Sequence, residues 1–195
     1  GTSLPTISFG QGYSVTAMQS TSVFATIAND GVRVKPSILA GVVDESGKYT
    51  PAKANESVQV LSAQTAINLR AMMESVVSKD GTAPTAAIPG YRVAGKTGTA
   101  MRYNTSCRCY SGYTASFIGF APADQPKYVV SVTIQDPKGL HWGGALAGPV
   151  FKKVMSFVLQ NERIKPTPTA DTFLSLTEAA LKSPKQSTKK SEPKL

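Results

Sequence analysis

An ammonium, two hydroxyls and a residue without a side chain stand together at Lys96-Thr97-Gly98-Thr99. Carried on a strand edge, these groups and the neighbouring backbone N–H donors suit one small anionic ligand. Gly98 has no Cβ, so a ligand can lie directly against the main chain there. Tyr91 and Val93, with small residues after Pro89-Gly90, predict that the segment opens as a strand.

Two chemistries share this pattern. Gly90-Tyr91-Arg92-Val93-Ala94-Gly95-Lys96-Thr97 satisfies the phosphate-loop pattern G-x-x-x-x-G-K-[ST]. Such a loop needs a buried strand before its first glycine and a helix opening after its lysine. Ala86-Ala87-Ile88-Pro89 is short and broken by proline, and Thr97-Gly98-Thr99 is a poor helix start. The context therefore disfavours a nucleotide. A third reading, a merely solvated strand lysine, describes most lysines. The segments around Lys96 weigh against it.

The second chemistry is serine acyl transfer. Lys96-Thr97-Gly98 matches the K-T-G element that accompanies S-x-x-K and S-D-N in penicillin-binding proteins and class A β-lactamases. Phe9-Gly10-Gln11-Gly12-Tyr13-Ser14-Val15-Thr16 with Gln19, then Ile27-Ala28-Asn29-Asp30-Gly31, resemble the stretch before K-T-G in class B penicillin-binding proteins. Ser116-Phe117-Ile118-Gly119-Phe120-Ala121-Pro122 and Gly143-Gly144-Ala145-Leu146-Ala147-Gly148-Pro149-Val150-Phe151 resemble segments on its C-terminal side in the same proteins. Across residues 9–160 the chain is thus similar to the C-terminal part of the transpeptidase domain of a class B penicillin-binding protein, of division or elongation type.

The resemblance implies an α/β fold of the α+β kind. An antiparallel sheet would be flanked by helices, as in penicillin-binding transpeptidases and serine β-lactamases, and would be incomplete in this chain. It implies a D,D-transpeptidase that cross-links peptidoglycan stem peptides ending in D-Ala-D-Ala and is acylated by β-lactams. By position, Lys96 would place positive charge beside the attacking serine and join the proton relay. The Thr97 and Thr99 hydroxyls would hold the terminal carboxylate of donor or drug. The Thr99 backbone N–H would be an oxyanion donor, and Gly98 would keep the strand open. No cofactor and no metal are implied. Other cell-wall synthesis proteins are expected partners and nucleic acid is not.

The motif set is incomplete. S-x-x-K occurs at Ser187-Thr188-Lys189-Lys190 and Ser191-Glu192-Pro193-Lys194, both in a low-complexity tail. An attacking serine must be held rigidly, so neither serves. No S-x-N triplet occurs. The resemblance puts both elements upstream. The expectation is a fragment, inactive alone, that completes its site with the preceding part of the same protein. That part would also carry any membrane anchor and fix the protein at the extracytoplasmic face of a bacterial membrane. Two alternatives stay open: a carboxypeptidase or β-lactamase of the same fold, and a non-catalytic interaction domain that kept the sheet and lost the serine.

The elements that must hold Lys96 in place can be read from periodicity. Thr16 and Gln19 form a capping box for a helix running to about Asn29, with Met18, Phe24, Ile27 and Ala28 as its apolar stripe. Gly31 suits a left-handed end to that helix. Residues 32–49 read as short strands around Asp44-Glu45-Ser46-Gly47, a peripheral hairpin. Ser62 caps a second helix over residues 63–78, in which Leu69, Met72, Met73, Val76 and Val77 should face the core. Residues 101–112 read as a turn-rich connection rimming the site. Strands are expected at residues 114–120 and 128–135, the latter with Tyr128, Val130, Val132 and Ile134 on one face. Three consecutive strands with short links imply an antiparallel sheet. Pro149 fits the first position of a final helix with Val150, Phe151, Val154, Met155 and Val158 as its apolar face.

Composition agrees with one domain over residues 1–162. The chain has 195 residues and 41% hydrophobic content, enough for a core. The formal charge of +9 is scattered rather than clustered, and no base-stacking series accompanies it. A basic exterior suits an anionic wall or membrane surface. No apolar run is long enough to span a bilayer. Cys107 and Cys109, with the lone His141, are too few for a zinc site. The two cysteines fit a short disulfide, two free thiols, or partners for other chain. His141 reads as exposed loop rather than a general base. Residues 163–195 are rich in proline, serine and lysine and are expected to be a disordered tail.

Overall fold

The computed structural model describes residues 3–8, 10–12 and 14–167. In chain order it has helices α1 (Ser3–Ser8) and α2 (Ala17–Ala28), short strands β1 (Val32–Val34), β2 (Gly41–Val43), β3 (Tyr49–Pro51) and β4 (Ser57–Gln59), and helix α3 (Ala63–Ser75). A 3-10 turn at Pro84–Ala86 leads to β5 (Ala94–Asn104), β6 (Cys109–Ala121), β7 (Tyr128–Gln135) and helix α4 (Gly143–Asn161).

The sheet β5-β6-β7 organises everything else, and both of its pairings are antiparallel. Its β-branched and aromatic residues favour the pleat, and short side chains let the helices approach. On one face Val93, Phe117 and Ala121 pack with Ala147, Phe151, Met155 and Leu159 of α4. Val130, Val132 and Ile134 join this core from β7, with Tyr128, as their alternation predicts. On the other face Ala94 and Phe120 meet Ile27 of α2 and Met73 of α3. Phe117, Phe120, Phe151, Met155 and Leu159 are wholly buried, each contributing about 1.5–3 kcal/mol by removal from water.

The capping box of α2 forms in full. Gln19 donates its backbone N–H to Thr16 Oγ1 at 3.1 Å, and the Thr16 N–H donates to Gln19 Oε1 at 2.8 Å. Ser62 caps α3 through the Thr65 N–H. The expected peripheral hairpin is β2 with β3 around Asp44. A second two-stranded ladder, β1 with β4, joins segments more than twenty residues apart, which local turn signals do not disclose.

Several expectations are corrected. Residues 101–112 are not a loose connection but the ends of β5 and β6 and the tight turn between them. Tyr103, Tyr110 and Tyr113 carry the strands, and turn residues fill only the tip, where Ser106 donates its N–H to Asn104 Oδ1. Cys107 and Cys109 are joined as a disulfide. The last helix starts at Gly143, so Pro149 lies inside it rather than at its head. Its buried stripe is Ala147, Phe151, Met155 and Leu159 at four-residue intervals, which leaves Val150 and Val154 exposed. Met18 and Met72, expected in apolar faces, are also exposed. Helix α3 ends at Ser75, three residues short of expectation.

Residues 164–167, the start of the expected tail, are bound to the turn before β5. Tyr91 Oη donates to the Ile164 carbonyl at 2.6 Å, the Thr167 N–H donates to the Gly90 carbonyl, and the Arg92 N–H donates to Thr167 Oγ1. The disorder expected further on falls at residues 168–195, outside the described residues. Among the described residues no helix is long and apolar enough to cross a membrane.

Candidate active site

Lys96, Thr97, Gly98 and Thr99 are consecutive on β5, an edge strand of the main sheet. The strand runs on unbroken through Thr97 to Asn104, where a phosphate loop would open a helix. The nucleotide alternative is thereby excluded on geometry. Lys96 pairs with Ile118, Thr97 with Phe117, Gly98 with Ser116 and Thr99 with Ala115. Alternation puts Thr97 and Thr99 on the α4 face with Phe117, and Lys96 and Gly98 on the opposite face. Lys96 is exposed; the next three residues are half-buried.

The hydroxyls are held by groups that sequence reasoning did not identify. Thr97 Oγ1 lies 3.1 Å from Thr82 Oγ1, in the loop after α3. Lys96 Nζ donates to the Thr97 carbonyl at 3.1 Å and lies 3.4 Å from Thr97 Oγ1. Thr99 Oγ1 accepts the Gly143 backbone N–H at 3.1 Å. Trp142, at the head of α4, supplies no side-chain cap, so a strand threonine satisfies one of the free donors of that helix. Because Thr99 Oγ1 accepts this bond, its own proton remains available to donate. The positive end of a 19-residue helix also faces the threonine pair.

This contact requires glycine. A Cβ on Gly143 would strike the carbonyl oxygens of Gly98 and Ser116, and one on Gly144 would strike that of Thr82. The Gly143-Gly144 doublet was a visible signal, but its meaning lies in a contact between distant segments. Thr85 Oγ1 donates to the Gly144 carbonyl at 2.6 Å and fixes the same turn from the other side.

The approach to β5 is anchored by charge. Arg92 Nε and Nη2 donate to the two oxygens of Glu74 at 2.9 and 2.6 Å. The Glu74 side chain is buried and that of Arg92 is about a quarter exposed. The hydrogen bonds to Glu74 raise the Arg92 pKa further, against the opposing effect of burial. It clamps α3 to the residue two before the strand. His141 is half-buried rather than fully exposed, and stacks on Tyr113 with ring centroids 4.0 Å apart.

Residues 3–156 match the penicillin-binding protein transpeptidase domain family. The chain is 39% identical to the penicillin-binding protein PbpB of Mycolicibacterium smegmatis, over 90% of this chain and 29% of that protein. It is 39% identical to the peptidoglycan D,D-transpeptidase FtsI of Escherichia coli, over 83% of this chain and 26% of that protein. Among solved structures, penicillin-binding protein 3 of Mycobacterium tuberculosis complexed with ampicillin superposes with a TM-score of 0.80 at 36% identity. That match covers 87% of this chain and 40% of the other. The chain spans less than a third of the length of these curated relatives. On the profile match, the identities and the shared fold, this chain belongs to the penicillin-binding protein transpeptidase domain family.

Proposed function

We propose that this chain supplies the carboxylate-binding strand of a peptidoglycan D,D-transpeptidase, a serine acyl-transfer enzyme that β-lactams acylate. The observation that carries the reading is the arrangement around Thr99. Its hydroxyl accepts from the head of α4 and so keeps its proton free to donate, one residue from a glycine and beside a second threonine and an ammonium. Such a set suits the terminal carboxylate of a D-Ala-D-Ala peptide or of a penicillin. Relatives named as D,D-transpeptidases and a neighbour solved with ampicillin support the same chemistry.

The nucleophile is a serine of an S-x-x-K element elsewhere in the intact protein, with an S-x-N element beside it. Its Oγ attacks the carbonyl of the penultimate D-alanine. The peptide C–N bond breaks, and the last D-alanine leaves with a proton. An amine of a neighbouring stem peptide then attacks the ester, forms the cross-link and frees the serine. Lys96 supplies positive charge at the reacting centre and takes part in the proton relay. Thr97 and Thr99 orient the carboxylate. The Thr99 backbone N–H stabilises the oxyanion, a contact worth roughly 3 kcal/mol in a transition state of this kind. Gly98, expected to keep the strand open for a ligand, makes room for the Ser116 hydroxyl of β6. The protein works at the extracytoplasmic face of a bacterial membrane, where its substrate lies.

The test is acylation of the intact protein by a labelled penicillin. Lys96→Ala slows it at least about tenfold, the loss expected when a participant in proton transfer is removed. An unchanged rate would retire the assignment.

A further inference from the structure

The tip of the β5–β6 hairpin carries a disulfide that does little for the fold. Cys107 and Cys109 are joined across a single residue, and both are exposed. We propose that this bridge is a thiol–disulfide exchange site. A low-molecular-weight thiol opens it and becomes attached to the protein, while the sheet beneath stays folded.

A disulfide stabilises mainly by closing a long loop, and this one closes almost none. The hairpin has other ties. Tyr103 pairs with Tyr110 and Asn104 with Cys109 in the backbone ladder, and the two tyrosine rings meet edge to face with centroids 5.6 Å apart. At the turn the Ser106 N–H donates to Asn104 Oδ1. These contacts hold the register of the strands without help from the sulfurs.

The surroundings suit exchange. Residues 103–110 are all exposed. An open cavity of about 360 Å³ lies alongside, lined by Arg102, Tyr103, Asn104, Thr105, Ser111 and Asp136, so a small thiol can approach from the side. Exposed disulfides are the labile ones, whereas well-protected structural bridges resist the thiol pool. Arg108, the residue inside the ring, has a φ of +53°, in the left-handed region that is costly for a residue with a Cβ. Opening the bridge frees Arg108 to return to an ordinary conformation. Residues 101–113 hold two arginines and no carboxylate. A guanidinium one residue from either cysteine stabilises the thiolate that has to leave.

The step needs no reagent besides the thiol. Its thiolate attacks Cys109 Sγ, and a new S–S bond forms as the bond between Cys107 and Cys109 breaks. The electron pair leaves on Cys107 Sγ, which takes up the proton that the incoming thiol gave to water. Cys107 Sγ lies 3.7 Å from the Asn104 carbonyl oxygen, so the thiol formed there has an acceptor in place. This assigns Cys107 as the leaving sulfur. A second thiol molecule then attacks the mixed disulfide at Cys109, leaving two protein thiols and the oxidised dimer of the reagent. Attack by Cys107 instead restores the bridge.

The experiment places the intact, folded protein in about 5 mM reduced glutathione with about a tenth as much glutathione disulfide. Samples are quenched in acid, alkylated and digested, and the peptides carrying Cys107 and Cys109 are weighed. About half of the bridges or more should open within about an hour, with a glutathionyl group on Cys109 among the early products. The far-ultraviolet circular dichroism should not change. A bridge that stays closed here, and opens only after the protein is unfolded in urea, would overturn the proposal. A glutathionyl group found on Cys107 alone would reverse the assignment of the leaving sulfur. Arg108→Gly removes both the left-handed Cβ and the cation, and should lower the equilibrium ratio of open to closed bridge about fivefold. Arg108→Lys, which keeps both, should stay within about twofold of the native ratio. A native ratio in Arg108→Gly would refute the part given to Arg108.

Discussion

Residues 94–100 and residues 101–104 belong to one strand and live under opposite constraints. The inner stretch is pressed between α4, α3 and β6. Gly95 leaves room only for the Phe117 ring, Gly98 lies against Ser116, and Thr99 is tied to the head of α4. The outer stretch projects as one side of a hairpin, with Tyr103 57% and Tyr110 61% exposed and a bulge in the ladder. The inner half has one geometry available because backbone packs on backbone. The outer half has side-chain freedom and an open cavity. On the proposed function, an invariant feature of a ligand, its terminal carboxylate, would belong with the first.

Substitutions can break this contrast in order of size. Phe151→Ala removes a wholly buried ring from beneath the inner half and should cost about 3–5 kcal/mol in urea unfolding of the intact protein. A loss under about 1 kcal/mol would mean that α4 does not brace the strand. Gly143→Ala forces a methyl against two carbonyl oxygens and should cost about 2–3 kcal/mol. It should also slow penicillin acylation, because Thr99 loses its partner; normal acylation would show that the two are independent. Thr99→Val leaves the Gly143 N–H unanswered and should cost about 1–2 kcal/mol, with Thr99→Ser near the native value by thermal unfolding. On the outer half, Cys107→Ser with Cys109→Ser should cost no more than about 1.5 kcal/mol, since the bridge spans two residues and removes little chain entropy. A large loss there would erase the distinction between the halves.

Much of this was legible in the sequence, and the illegible part has a common cause. The Thr16–Gln19 box, the Ser62 cap, the alternation from Tyr128 to Ile134 and the hairpin at Asp44 are local, and local rules found them. That Lys96, Thr97 and Thr99 lie on a strand was legible because the residues leading into them favour the pleat. The start of α4 was not. Pro149 carries a strong rule for a first helical position, and the reason for starting at Gly143 instead is contact with Gly98 and Ser116 backbone. Thr82 and Thr85 likewise act on residues far along the chain. The hairpin tip was misread for a different reason. Asn104, Thr105 and Ser106 signal a turn truly, but Tyr103 and Tyr110 on either side keep the strands going to its very edge.

The bonds from Tyr91, Gly90 and Arg92 to residues 164–167 give the molecule a clasp. The peptide that leads into β5 and the peptide that leaves the final helix are fastened at one point, so strand, hairpin and helix form a closed loop. Slack introduced at either side of the clasp reaches Lys96 by the short route, through the few residues of backbone between Arg92 and the lysine, and reaches Thr99 by the long route, through the shaft of α4.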